Sequence, residues 1–420
     1  MFFYFMTKQV ISLIKNHSFQ KFGIYGFGQA FNLVTPLLVV PYIISVCGVE
    51  NYGKTAVAIA IAFFLIVFVD FGSDMIGTKD ASINRHDKNK LNDILSITYG
   101  VKFLMLLSVL SFSTILLILL PFFSEEKPLY FLTLLIIIGQ CLNPTWFLQG
   151  VEHIKTITFA NIFSKLIYLA GVFFTVKTKS DYIFVNFWWG IGMIVSYLLV
   201  LVHLVKVEKY RFLSFSFQRI IFEIKNNFKL FSSQIFVSLQ LYAPILIIGF
   251  FGNAILAVQY RIIEQLIIIF KTYLLLFFNF IFPKICYLHA NFPTKVKKNW
   301  LAYNGLNFLI ILFLVSILFV FSPEVINYFS PDNPKKLVHL LQLALFLPLI
   351  LGVSIPLKQL ILAKDYERFY ANTTIGLVLL SLFVMAVLLS TFQLQGVFLS
   401  LIIAELLTIF FYIYRLKKSD

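Results

Sequence analysis

Long, nearly uninterrupted apolar stretches of about 20 residues recur from end to end of this chain, each enough to cross ~30 Å of hydrocarbon as a helix. Short clusters of charge, proline and small polar residues part them. The pattern predicts an all-α, polytopic membrane protein of about twelve transmembrane helices, at roughly 23–46, 55–75, 94–120, 128–149, 157–175, 182–205, 231–252, 254–282, 300–322, 337–362, 370–391 and 396–414. Only Gly252 and Asn253 divide the seventh span from the eighth, and only Gln393 and Gln395 the eleventh from the twelfth.

The distribution of basic residues fixes an orientation. With twelve spans, 23 of the 34 Lys and Arg fall on one side and 6 on the other. Basic loops mark the cytoplasm, so both termini of the multi-pass chain are expected there. The longest polar connection, Lys206–Lys229, divides the spans into two six-helix lobes. The predicted organisation is an amphipathic cytoplasmic segment (1–22), an N-lobe (23–205), a basic cytoplasmic linker (206–230), a C-lobe (231–414) and a cytoplasmic tail (415–420). The lobes carry similar marks: Pro121, Pro144 and Ala160-Asn161 in the first, Pro323, Pro356 and Ala371-Asn372 in the second. Two equal lobes are the layout of an alternating-access transporter with a substrate site at mid-membrane, while coincidence would also account for a few shared prolines.

Composition narrows the function classes. Hydrophobic residues make up 60% and charged residues 13%, with a mean hydropathy of +0.90. These values exclude a soluble enzyme, a nucleic-acid-binding module and a secreted disulfide scaffold. The net charge of +15 is then largely orientation signal rather than the mark of a polyanionic partner, and no nucleic acid is expected. Cys47, Cys141 and Cys286 stand apart, and the six histidines are scattered. No metal or cofactor is expected.

Candidate chemistry lies in the few ionisable groups left inside the spans, which are costly in hydrocarbon and tend to face a cavity or a partner. The bases are Lys102, Lys165, Arg261, Lys271 and Lys358; the acids are Glu264 and Glu405, with Asp70 and Asp74 at the end of the second span. Lys102, Lys165 and Lys358 lie near the cytoplasmic boundary, where snorkelling competes with a cavity role. Arg261 lies deeper, with Glu264 three and Gln265 four residues on. One alternative is a self-neutralising ion pair. The other is an anion site, in which the planar guanidinium engages two phosphate oxygens and Glu264 orients it or carries a proton. Lys271 extends the cationic track. Tyr25, Gln29, Asn32 and Pro36 share one face of the first span, Asn161, Lys165 and Tyr168 recur in the fifth, and Gln240 lies in the seventh. Interhelical hydrogen bonding covers any one stripe; together they fit a hydrated cavity suited to sugar hydroxyls. Substrate-binding candidates are thus Arg261, Lys271, Lys165, Gln29, Asn32, Tyr25, Asn161 and Gln240, and ion-coupling candidates Glu264, Glu405 and Asp70.

Two segments carry a family resemblance. Pro41-Tyr42-Ile43-Ile44, Gly48-Val49-Glu50-Asn51-Tyr52-Gly53 and Asp70-Phe71-Gly72 form the first, and Asn143-Pro144-Thr145-Trp146-Phe147-Leu148-Gln149-Gly150-Val151-Glu152 the second. They resemble polysaccharide flippases of the Wzx type, within the multidrug/oligosaccharidyl-lipid/polysaccharide exporter superfamily. The resemblance is specific over about 25–160 and architectural beyond. It implies a MATE-like exporter architecture and transport of an undecaprenyl-diphosphate-linked oligosaccharide, an O-antigen or capsule repeat unit, from the cytoplasmic to the periplasmic leaflet. Membrane lipid, a polysaccharide polymerase and glycosyltransferases would be its neighbours. Two positions depart from the family pattern: Ser45 stands where many members carry Arg after the Pro-Tyr pair, and His153 where Arg or Lys follows the Gln-Gly-x-Glu segment. A cation or drug antiporter of the same superfamily would want surplus carboxylate, whereas the deep spans hold more base than acid. A membrane polymerase or ligase would be expected to carry a large outer loop, and the outer connections are short.

Overall fold

Helix ends fall where the sequence supplies caps and breakers. The computed structural model describes residues 17–214, 216–329, 334–364 and 366–418, and among them there are helices and no strand. The amphipathic segment expected over 1–22 lies outside the described residues as far as residue 16. The first half runs α1 (His17–Cys47), α2 (Val49–Asp70), α3 (Ile76–Ile83), α4 (Lys88–Leu119), α5 (Lys127–Leu142), α6 (Thr145–Gly150), α7 (Ile154–Thr175) and α8 (Ile183–Lys206). The second runs α9 (Phe217–Phe251), α10 (Ala254–Asn291), α11 (Pro293–Val320), α12 (Ser322–Tyr328), α13 (Pro334–Ala344), α14 (Phe346–Ala363) and α15 (Glu367–Lys417). Asp87 caps α4 by accepting from the amides of Asn89 and Lys90 at 3.1 and 3.2 Å, and Asn253 caps α10 by accepting from Leu256 at 2.9 Å. Gly72 (φ 77°) takes the left-handed backbone that ends α2.

Ten helices among the described residues are long and apolar enough to cross a membrane. The last of these stretches, Arg368–Lys417, contains two of the expected spans. Gln393 breaks it with a non-helical φ of 51°, at the glutamines that were expected to divide them. Two expected spans are instead interrupted. The fourth breaks at Asn143-Pro144, where proline offers no N–H and Asn143 Oδ1 accepts from the Thr145 amide at 2.9 Å. The tenth breaks at Leu345 between α13 and α14. The basic segment expected to run to residue 230 becomes helical after Ser216, whose hydroxyl accepts from the Arg219 amide at 3.3 Å where α9 opens. Large apolar side chains face outward, among them Phe103, Leu107, Ile115 and Leu119 on α4 and Leu306, Leu309, Phe313 and Val320 on α11. Such a surface fits lipid rather than water.

Contacts divide the chain into two compact units. The N unit comprises the chain as far as Cys47 together with Ala58–Ser238; the C unit comprises Gly48–Val57 and Leu239–Asp420. The N unit's core packs Trp146, Phe147 and Leu148 of α6 among Leu91, Leu95, Ile136, Ile137 and Leu204. The C unit holds smaller apolar groups, one around Ile281, Ile285 and Val296 and another around Leu357, Ile361 and Tyr412. Of the paired proline marks, Pro121 and Pro323 each open a short helix just after a long one. Pro144 and Pro356 differ: the first precedes α6, the second is inside α14.

Candidate functional site

The N unit gathers its intramembrane charge where α2 ends. Asp70 Oδ1 accepts from Lys102 Nζ of α4 at 3.0 Å, and the same ammonium donates to the Gln140 carbonyl of α5 at 3.1 Å. Gln140 Nε2 donates to the second carboxylate oxygen at 2.9 Å. Lys102 is 1% exposed and Asp70 12%, so Lys102 does not snorkel; it is held inside by an acid on another helix. Removing either charge from water costs several kcal/mol unless a partner and hydrogen bonds compensate, and here both do. Asp70, expected as an ion-coupling candidate, is thereby half of a three-helix ionic knot.

The second resemblance segment packs against α3, the helix that follows the end of the first. A Cβ on Gly77 would lie 2.5 Å from the Trp146 ring, and one on Gly150 would lie 2.6 Å from Ala81 Cβ, so α3 and α6 approach as only glycine allows. The Thr78 hydroxyl donates to the Trp146 carbonyl at 3.0 Å. Glu152 turns out of α6 with a φ of 61° and pairs with Arg85 at 2.7 Å. At the expected outer edge of the same unit, the Tyr42 hydroxyl donates to the Val176 carbonyl at 2.8 Å. Nearby, the Lys177 and Thr178 amides hold the Asp181 carboxyl below its usual range. The motif residues therefore act first as packing and turn-forming groups.

Elsewhere in this unit, Lys165 Nζ stands 3.5 Å from the centre of the Trp189 ring and 6.0 Å from that of Tyr168. Among the described residues it forms no ion pair. Tyr197 donates to Asn161 Oδ1 at 3.4 Å. Asn32 is half-buried on α1, and the side chains of Tyr25 and Gln29 lie outside the described residues.

In the C unit, Arg261 Nη1 donates to Glu264 Oε2, one turn along α10, with the two side chains 19% and 13% exposed. The Tyr260 hydroxyl donates to the other oxygen of Glu264 at 3.4 Å. Tyr52, from the resemblance segment at the start of α2, accepts from Gln265 at 3.5 Å and lies within hydrogen-bonding reach of Arg261. Further along, Ser354 donates to Glu405 Oε2 at 2.8 Å, and Lys271 and Lys358 lie within electrostatic reach of that carboxylate. Lys358 also sits 4.5 Å from the Tyr370 ring centre. Gln240 is half-buried on α9. The structure thus joins Arg261 to Glu264 and draws Lys271 toward Glu405, and it leaves Lys165, Asn161 and Asn32 in the other unit.

Sequence reasoning passed over several polar residues. Asn304 of α11 donates to Gln359 of α14 at 3.1 Å, and Tyr273 of α10 donates to Asn307 at 2.8 Å. Asn304 Oδ1, Asn307 Nδ2, Gln359 Nε2, Gln259 Oε1 and Gln265 Oε1 are buried with no hydrogen-bond partner among the described residues. Two amides three residues apart in an otherwise apolar run were the available signal. Gln140 and Trp189 had none, because their partners are remote in sequence.

The fold is that of a multi-pass membrane protein. Over 94% of this chain and 87% of the other, it superposes on the lipid II flippase MurJ in an inward closed conformation with a TM-score of 0.68 at 12% identity. It also superposes on an outward-facing multidrug resistance MATE family transporter of the MOP superfamily, with a TM-score of 0.58 at 14% identity and 93% of each chain covered. The sequence matches the polysaccharide biosynthesis protein family over residues 18–289, and the chain belongs to that family. A protein of Escherichia coli (strain K12), named as a candidate O-antigen transporter, is 25% identical over 225 residues, 54% of this chain and 54% of its own length. The chain thus spans about half the length of that curated relative.

Proposed function

We propose that the protein carries an undecaprenyl-diphosphate-linked oligosaccharide, an O-antigen or capsule repeat unit, from the cytoplasmic to the periplasmic leaflet of a bacterial inner membrane by alternating access. It is not an enzyme in this reading. Family membership and the relative named for O-antigen transport support the substrate class. The observation that carries the reading is Arg261, a guanidinium inside α10 whose partner is an acid on its own helix. Breaking that pair moves no helix, so a diphosphate can take Glu264's place on the planar donors. Unaided passage of a diphosphate and many hydroxyls through hydrocarbon would cost many kcal/mol. Buried amides with spare hydrogen-bonding capacity, as at Asn304, Asn307 and Gln359, supply groups that sugar hydroxyls pair with. Glu264 and Glu405 are the proposed groups for coupling to a proton or sodium gradient.

Deletion of the gene tests the reading through the leaflet in which lipid-linked repeat units accumulate. Retention on the cytoplasmic face is expected; normal periplasmic exposure in the deletion refutes flipping. A cation or drug antiporter is the second reading, drawn from the likeness to a MATE transporter. It predicts drug sensitivity in the deletion with surface polysaccharide intact.

A further inference from the structure

The ionic knot of the N unit holds an ammonium between a carboxylate and a backbone carbonyl. Lys102 Nζ has two oxygen neighbours, Asp70 Oδ1 at 3.0 Å and the Gln140 carbonyl at 3.1 Å. The Gln140 amide fixes the carboxylate's rotation by donating to its other oxygen at 2.9 Å. Asp70 also borders a cavity of about 120 Å³ lined in addition by Ser73, Asp80, Asp93, Glu223 and Arg219. In this cavity Arg219 forks onto Asp93, which leaves a net negative lining on the side of a chain whose overall charge is +15. A low-dielectric cleft of one sign concentrates counter-ions from solution. Ser73, 5% exposed, lines the same cavity with a buried hydroxyl oxygen that has no hydrogen-bond partner among the described residues. A pair serving only to tie three helices together requires neither the approach from solution nor the spare oxygen.

We propose that Lys102 is a tethered stand-in for a soluble monovalent cation. Its ammonium occupies the position that Na+ or K+ would take between Asp70 and Gln140, and the acidic cavity is the route by which such an ion would reach it. The N unit consequently needs no soluble cation at this carboxylate, and any cation coupling of transport must use another group. That consequence for coupling rests on the transporter reading; the site itself does not.

Truncation of Lys102 opens the site, because Asp70 is then a desolvated carboxylate with an empty space beside it and a polar path to solution. The test is the melting temperature of the purified full-length chain in detergent, in NaCl or KCl from zero to about 100 mM, with choline chloride holding ionic strength constant. Lys102→Ala is expected to gain a saturable rise of a few degrees with Na+ or K+. Wild type and the double variant Lys102→Ala/Asp70→Asn are expected to give flat curves. A flat curve for Lys102→Ala, an equal rise in the double variant, or an equal rise in wild type each overturns the proposal. Should the alanine variant be recovered unfolded, Lys102→Ser, which vacates the same space, takes its place under the same criteria. Melting reports cation binding through linkage and without transport, so a failed leaflet assay and a failed cation response remain distinguishable.

Discussion

Two largely buried ion pairs, Lys102–Asp70 in the N unit (1% and 12% exposed) and Arg261–Glu264 in the C unit (19% and 13%), are built in opposite ways. The first joins acid and base 32 residues apart in sequence and recruits a third helix through Gln140. The second lies within one turn of one helix. A cross-helix pair cannot open without moving helices or stranding a charge, whereas an intrahelical pair opens by side-chain rotation alone. Local pairing is therefore the arrangement that can exchange a protein carboxylate for an anionic ligand, and the cross-helix pair is the one that holds the fold.

The strongest way to break this comparison is Asp70→Ala. It leaves Lys102 buried without its acid, and removal of one partner from a buried pair costs about 3–5 kcal/mol. Thermal unfolding in detergent and the amount of membrane-inserted protein should both fall sharply. The double variant Asp70→Leu/Lys102→Met, which removes both charges and keeps apolar volume, should regain most of that loss. If Asp70→Ala costs no more than Glu264→Ala, the distinction between the two pairs is void.

On the other side of the comparison the expected loss is of function. Arg261→Ala should abolish surface polysaccharide while the protein remains inserted and abundant, and Arg261→Lys should retain part of the activity, since an ammonium keeps the charge without the bidentate fork. Full polysaccharide export by the alanine variant would remove Arg261 from the anion site.

A smaller effect is expected at a base of the N unit that meets a ring instead of an acid. Lys165 is partnered by the Trp189 ring, and such a cation–π contact is worth about 0.5–2 kcal/mol depending on desolvation. Trp189→Leu keeps apolar bulk and should lower the melting temperature by a few degrees. In a double-mutant cycle with Lys165→Met, the coupling energy should be of that size; a coupling near zero would mean that the ring only fills space.

Legibility in the sequence followed the range of the interaction. Apolar run length placed the helices, and Gln393 marked the break in α15 because a polar pair in an apolar run has no other local use. Arg261–Glu264 was readable as one of two alternatives because a spacing of three puts both groups on one face. Lys102–Asp70 was not readable, since nothing local distinguishes a lysine that snorkels from one that meets an acid on another helix. The fourth span was expected to continue through Pro144, yet Asn143 supplies the cap that lets the chain restart as α6. The resemblance covered α6 but not α3, and their contact was not readable because Gly77 and Gly150 act through what they lack.

The smallest effect comes from a contact shorter than that of Lys102 and Asp70. Arg85 and Glu152 approach to 2.7 Å, closer than the 3.0 Å of Lys102 and Asp70, but their side chains are 44% and 55% exposed against 1% and 12%. In water the Coulomb gain is largely cancelled by solvation and by the entropy of fixing two side chains, so an exposed pair contributes about 0.2–1 kcal/mol and is screened by salt. Arg85→Ala should therefore shift the melting temperature by a degree or so at low salt and by less at high salt, whereas the loss in Asp70→Ala should persist at high salt. Both are measured on the same purified protein across a salt series. A cost for Arg85→Ala matching that of Asp70→Ala would mean that contact distance, rather than burial, ranks the ion pairs of this molecule.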